Sequence, residues 1–241
     1  MSEIPLVQQV DYGYEYKLQQ MGTWYHTNWD AMGAIMSVYS RPGMTVADVT
    51  YGAGSFWKYC DTTIYDFRPS DLKLNGIDFK SLPYDDSEID IVVFDPPYRY
   101  TPRTNIHTHH SERYALESSL GIYRPSDVEA LYLDGILECE RVTKNGGFII
   151  VKCMDCIEAN LQSFMHASIM QMGSNLYAKD LIVVCPKSTV GSRHKRQRHL
   201  KKTHSYFIVF RKGGAWPFGI PKMGPPPTTD GHQDGVGLRT I

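Results

Sequence analysis

The chain has 241 residues, 42% hydrophobic and 21% charged, with a formal net charge of −1. That length suits one substantial α/β domain and crowds a second, and the charge excludes a protein that grips nucleic acid by its overall field, so any such contact has to come from a local basic patch. No apolar run approaches the roughly 18–20 residues of a membrane span, the polar start with Pro5 does not read as a signal peptide, and cysteines at 60, 139, 153, 156 and 185 fit reduced thiols in a cytoplasmic protein.

Residues 1–26 are aromatic-rich (Tyr12, Tyr14, Tyr16, Trp24, Tyr25) and are expected to form an N-terminal strap. Residues 29–39 carry Met32, Ile35, Met36, Val38 and Tyr39 at helical spacing, with Asn28 as N-cap and Arg41-Pro42-Gly43 as the stop. Residues 44–47 read as the first strand. Then comes Asp48-Val49-Thr50-Tyr51-Gly52-Ala53-Gly54, a strand end followed by a glycine turn and the start of a helix. Glycines let the backbone pass close to a ligand, and a helix start presents free amides. Trp57 stands where a dinucleotide fingerprint has its third glycine, which counts against NAD. A strand over 62–65 is expected to end in Asp66, where a doubly wound sheet places the acceptor for two ribose hydroxyls, with Asp71 in reserve.

The stretch Ile89-Asp90-Ile91-Val92-Val93-Phe94 is an apolar, β-branched run suited to a strand buried on both faces. It ends in Asp95, and Pro96, Pro97 and Tyr98 follow. Prolines offer no N–H to a ladder and fix φ, so the chain must leave the sheet there in one stiff conformation. A carboxylate, a rigid carbonyl and an aromatic ring then sit at the carboxyl end of a strand, where open α/β sheets bind ligands. Asp95 and the Pro96 carbonyl can each accept one hydrogen of an exocyclic amine, while Tyr98 offers a face to a flat base.

Residues 99–123 form a long polar loop with Arg99, Arg103, His107, His109, His110 and Arg113, read as a lid that orders when substrate arrives. Neighbouring histidines in an extended segment point to opposite faces, so no metal site is expected. An amphipathic helix over 125–142, a strand over 148–152, a methionine-rich helix over 157–172 and strands over 181–184 and 205–210 complete the pattern. Cys153 and Cys156 lack the second pair a zinc site needs and read as structural. Within an insertion over 186–204 lies the densest positive charge, with Arg193, Lys195, Arg196, Arg198, Lys201 and Lys202, a loop suited to gripping phosphates. The glycine- and proline-rich tail, 213–241, is expected to be disordered.

In these motifs the chain resembles the S-adenosylmethionine-dependent amino-methyltransferases that modify nucleobases. Asp95-Pro96-Pro97-Tyr98 matches the family's tetrapeptide, and the stretch from Asp48 to Gly54 matches its D-x-x-x-G-x-G cofactor loop, with the basic segment third in order. The resemblance covers roughly residues 27–211 and implies a class I methyltransferase (Rossmann-like) α/β domain over 27–212. Its sheet would be mostly parallel, with helices on both faces and an antiparallel terminal strand. It implies S-adenosylmethionine held by Asp48, Thr50, Gly52, Gly54 and Asp66, with Asp78 on the cofactor's adenine amino group and Phe79 beside that ring. Asp95, Pro96, Pro97 and Tyr98 would be catalytic, and Arg103 and the basic segment would contact nucleic acid. The implied reaction is methylation of the exocyclic amino group of adenine in DNA, with cytosine and RNA as competing targets. No separate target-recognition domain is visible, which points to a short or relaxed target, a homodimer or a sequence-reading partner. A non-catalytic nucleic-acid-binding subunit is the alternative from another class, and the two intact motifs weigh against it.

Overall fold

The computed structural model describes residues 22–97, 125–158, 161–187, 200 and 202–213. Tyr98, Arg103, Arg193, Lys195, Arg196, Arg198 and Lys201, the expected lid, most of the strap and nearly all of the tail lie outside these residues. The elements in chain order begin with β1 (Trp24–Tyr25), α1 (Asn28–Tyr39), β2 (Thr45–Asp48), β3 (Asp66–Pro69) and β4 (Ile89–Phe94). They continue with α2 (Pro125–Val142), β5 (Thr143–Cys153), a small hairpin of β6 (Cys156–Glu158) and β7 (Leu161–Ser163), α3 (Met165–Ile169), β8 (Leu176–Val184) and β9 (Ser205–Lys212).

Seven strands form one sheet in the order β1-β8-β9-β5-β4-β2-β3. The β3–β2–β4–β5 half is parallel, and β9 runs antiparallel to both β5 and β8. Side chains alternate between two cores, as the period of two in a strand requires. Ala47, Val92, Phe94, Ile149, Val151 and Ile208 face α2 and α3. Val46, Ile91, Val93, Ile150, Phe207 and Val209 face α1. Both faces are covered, which explains why β4 and β5 read as continuous apolar runs rather than alternating ones. This is a mostly parallel, Rossmann-like α/β sheet with helices on both faces and an antiparallel terminal strand, β9.

Thr27 caps α1, its hydroxyl accepting from the Asp30 amide at 3.1 Å, so the cap lies one residue before the expected Asn28. The second expected strand is displaced. Residues Thr62–Ile64 form a 3-10 turn because Asp61 accepts from the Thr63 amide and hydroxyl, at 3.0 and 2.6 Å, offering that backbone a local alternative to a ladder. The strand instead starts at Asp66. The glycine turn is followed by a three-residue 3-10 turn, Ser55–Trp57, rather than a full helix. The helix expected over 157–172 is the β6–β7 hairpin and the five-residue α3, tied down where Asp155 accepts from the His166 amide at 3.3 Å. Met165 and Ile169 do pack in the core.

Candidate active site

β2 and β4 are neighbours, and the strand order reverses between them. A sheet of this kind opens a crevice outside the carboxyl ends of its strands at that reversal. The glycine turn after Asp48 and the proline turn after Phe94 both leave the sheet at this point. They are joined directly. The Val49 amide donates to the Val93 carbonyl at 3.0 Å, and the Asp95 amide donates to Thr50 Oγ1 at 2.6 Å. Pro96 is buried and Pro97 half-buried, so the stiff corner is seated in the protein rather than hanging from it.

The glycine turn is shaped by Asp48. Its side chain is buried, with Oδ1 accepting from the Thr50 amide at 3.1 Å and Oδ2 from Trp57 Nε1 at 2.7 Å. Both carboxylate oxygens are thus engaged inside the turn, so Asp48 holds the loop in shape rather than offering a free acceptor to the crevice. Gly52 and Gly54 have φ of 55° and 69°, a region side chains rarely adopt, and a Cβ at Gly54 would stand 2.5 Å from the Tyr51 hydroxyl oxygen. Burial pushes the Asp48 carboxyl up to about 7, aided by the charges of Asp95 and Asp71 and opposed by the Trp57 and Thr50 hydrogen bonds.

Asp66 does not reach this crevice. It begins β3 opposite Thr45, at the amino edge, and pairs with Arg68 at 2.7 Å, which holds its carboxyl below the usual carboxylate range. Pro69 is the residue opposite Asp48, so the chain reaches the crevice at Ser70 and Asp71. There the Ser70 amide donates to the Asp48 carbonyl at 2.8 Å and the Tyr51 amide to the Ser70 carbonyl at 3.0 Å. Asp71, rather than Asp66, follows the carboxyl end of β3. Asp78 lies in a turn rather than at a strand end, and its half-exposed carboxylate accepts from the Lys80 amide at 2.9 Å. The ring of Phe79 packs in the core against Phe94, with centroids 5.0 Å apart.

Two further groups at this edge were missed from the sequence. The first is Lys152 on β5, buried beside the crevice, whose Nζ donates to Asn28 Oδ1 at 2.6 Å. A lysine inside the apolar run Phe148 to Cys153 was the available signal. The second is a chain of hydrogen bonds one strand further on. Asp155 Oδ1 lies 2.7 Å from His166 Nδ1, the Tyr206 hydroxyl donates to Asp155 Oδ2 at 3.3 Å, and His204 Nε2 lies 2.8 Å from that hydroxyl oxygen. No sequence spacing announces that chain. It forms because Cys153 pairs with Tyr206 across β5 and β9.

The same pairing locates the basic segment. β8 ends at Val184 beside Ser205, the first residue of β9, so the connection carrying Lys202 leaves and re-enters the sheet at the crevice edge.

No family model and no curated protein matches the chain. Among solved structures it is similar to TrmN from Thermus thermophilus, with 16% identity over 76% of this chain and 48% of that one, at a TM-score of 0.46. It is also similar to the PvuII DNA methyltransferase, a cytosine-N4-specific enzyme, with 14% identity over 54% of this chain and 44% of that one, at a TM-score of 0.38. A third is the N-methyltransferase NodS from Bradyrhizobium japonicum WM9 in complex with S-adenosyl-L-homocysteine, with 9% identity over 78% of this chain and 85% of that one, at a TM-score of 0.46. The chain spans about half the length of the first two, 48% and 44%.

Proposed function

We propose that this protein is an S-adenosylmethionine-dependent methyltransferase acting on the exocyclic amino group of adenine in DNA. The observation that carries the reading is the 2.6 Å hydrogen bond from the Asp95 amide to Thr50 Oγ1, which fastens the amine-binding corner to the cofactor loop at the strand-order reversal. Two guests seated on these two corners are neighbours, as direct group transfer between them requires.

When bound, the cofactor supplies a methyl group on a positively charged sulfur, a donor reactive enough that no protein nucleophile is needed. The chain's own work is positioning. The turn from Thr50 to Gly54 would hold the cofactor, and Asp71, rather than Asp66, would accept from its ribose hydroxyls. Asp95 and the Pro96 carbonyl each accept one amine hydrogen, which aims the nitrogen lone pair and favours its change towards sp³. Tyr98 stacks on a base taken out of its helix. Charge developing on the nitrogen is met by a carboxylate already in place. The basic connection between β8 and β9 supplies phosphate contacts, which fix position on the strand without reading sequence.

Replacing Asp95 with Ala is expected to abolish tritiated methyl transfer to DNA while cofactor affinity by calorimetry stays near the wild-type value. Transfer that survives the change refutes the assignment. Mass spectrometry of nucleosides from DNA and total RNA of an expressing strain is expected to find methylated adenine in DNA, and a modified cytosine or an RNA product would replace that target.

A further inference from the structure

Lysine is rarely buried without a compensating charge. Lys152 is 2% exposed, and its ammonium is held on three sides by uncharged groups. Nζ donates to the neutral Asn28 amide oxygen at 2.6 Å and lies over the rings of Phe207, at 4.7 Å, and Phe56, at 5.7 Å. The compensating charge comes from the neighbouring strand. Phe94 pairs with Val151 in the parallel β4–β5 ladder, and both face α2. The next residues along, Asp95 and Lys152, therefore face α1, the side on which Asp48 bonds Trp57. The ammonium, both carboxylates and the first residue of α1 thus share one face of one crevice.

We infer that Lys152 is a positioning residue for Asp95: its ammonium keeps that carboxylate ionised and turned to the amine while bound substrate excludes water. The inference rests on the reading of Asp95 as the amine acceptor. Burial depresses the lysine's own pKa, and the charge of Asp95 works against that depression, so the coupling runs both ways. The other titratable groups are Cys153, next to Lys152 on β5, and Asp48 at the end of β2, itself acted on by Asp95 and Asp71. Asp48 is a second acid beside Asp95, whose charge pushes the Asp48 carboxyl further up.

The test is the pH profile of kcat for full-length Lys152→Met, a substitution of similar length and volume. Removing the cation disfavours the ionised carboxylate, so the acid limb is expected to move to higher pH by about one unit or more. Below that limb kcat is expected to fall roughly tenfold relative to wild type, with cofactor Kd unchanged. A second measurement does not depend on that variant. The Lys152 side-chain resonance, followed by NMR in ε-13C-lysine-labelled protein, is expected to titrate at lower pH in Asp95→Asn than in wild type. An unmoved acid limb, an unmoved lysine titration, or weakened cofactor binding as the main effect of Lys152→Met would each overturn the inference. The last outcome would make Lys152 a partner of the cofactor's carboxylate. Methyl transfer that survives Asp95→Ala would instead refute the reaction proposed above, so the two failures are distinct.

Discussion

Asp48 is where a single residue has the clearest consequence. Its carboxyl lies at about 7 in the folded protein against an ordinary 3.8, because burial favours the neutral acid. Between those two values the unfolded chain has released a proton that the folded chain keeps. The stability this group confers is therefore complete in acid and lost as pH rises through about 7. A shift of that size corresponds to a decline on the order of 4 kcal/mol across the window. Asp48→Asn is expected to lack the decline, so its unfolding free energy, from urea titrations at a series of pH values, should be markedly flatter than that of the wild type from pH 4 to pH 7. Asn can replace only one of the two acceptor oxygens, so some loss in acid, about 1 kcal/mol for one hydrogen bond, accompanies the change.

Among the elements, α2 bears most directly on the corner that carries Asp95. Its Gly135 sits on the Phe94 ring so closely that a Cβ would stand 2.2 Å from Phe94 Cζ. Glycine costs a helix interior roughly 1 kcal/mol against alanine. Here it lets the helix approach the strand that ends at Asp95. Gly135→Ala is expected to destabilise by about 1–3 kcal/mol despite its better helix propensity, read as a lower midpoint in thermal unfolding. The helix was legible because its apolar positions recur over 18 residues. The five-residue α3 was not, since Met165 and Ile169 make one turn of helical spacing and the hairpin before it supplied more apolar residues to extend a false period. The strand at 62–65 failed for a related reason: Asp61 captures the Thr63 backbone locally, and propensity could not weigh that against a ladder four residues later.

At the scale of the whole molecule, the fold gathers its polar connections on one edge. The glycine turn, the proline corner, the β6–β7 hairpin and both ends of the basic connection leave the sheet on the side where the parallel strands end. The chain's net charge is −1, so phosphate binding has to rely on a local cluster of basic residues rather than on the overall field. Replacing Arg193, Lys195, Arg196 and Arg198 with Gln is expected to weaken DNA binding and to lower the slope of log affinity against log salt by about 0.9 for each phosphate no longer neutralised. Fluorescence anisotropy at several salt concentrations reads both effects, and cofactor affinity is expected to stay the same.

Local chemistry in the chain was enough to locate the two corners. A glycine turn after an acid and a double proline after a buried strand constrain their backbones within a few residues, whatever surrounds them. It was also enough for the covered sheet, since apolar runs without alternation need two packed faces. The partnerships across strands needed the folded protein. That Asp66 stands at the far edge, that Asp71 stands at the near one, and that Lys152 shares a face with Asp95 all follow from register. Register is set by packing between segments far apart in the chain, as the 124 residues separating Asn28 from Lys152 illustrate. A slip of one position turns every side chain of a strand to the opposite face, and no short-range pattern records which register prevails.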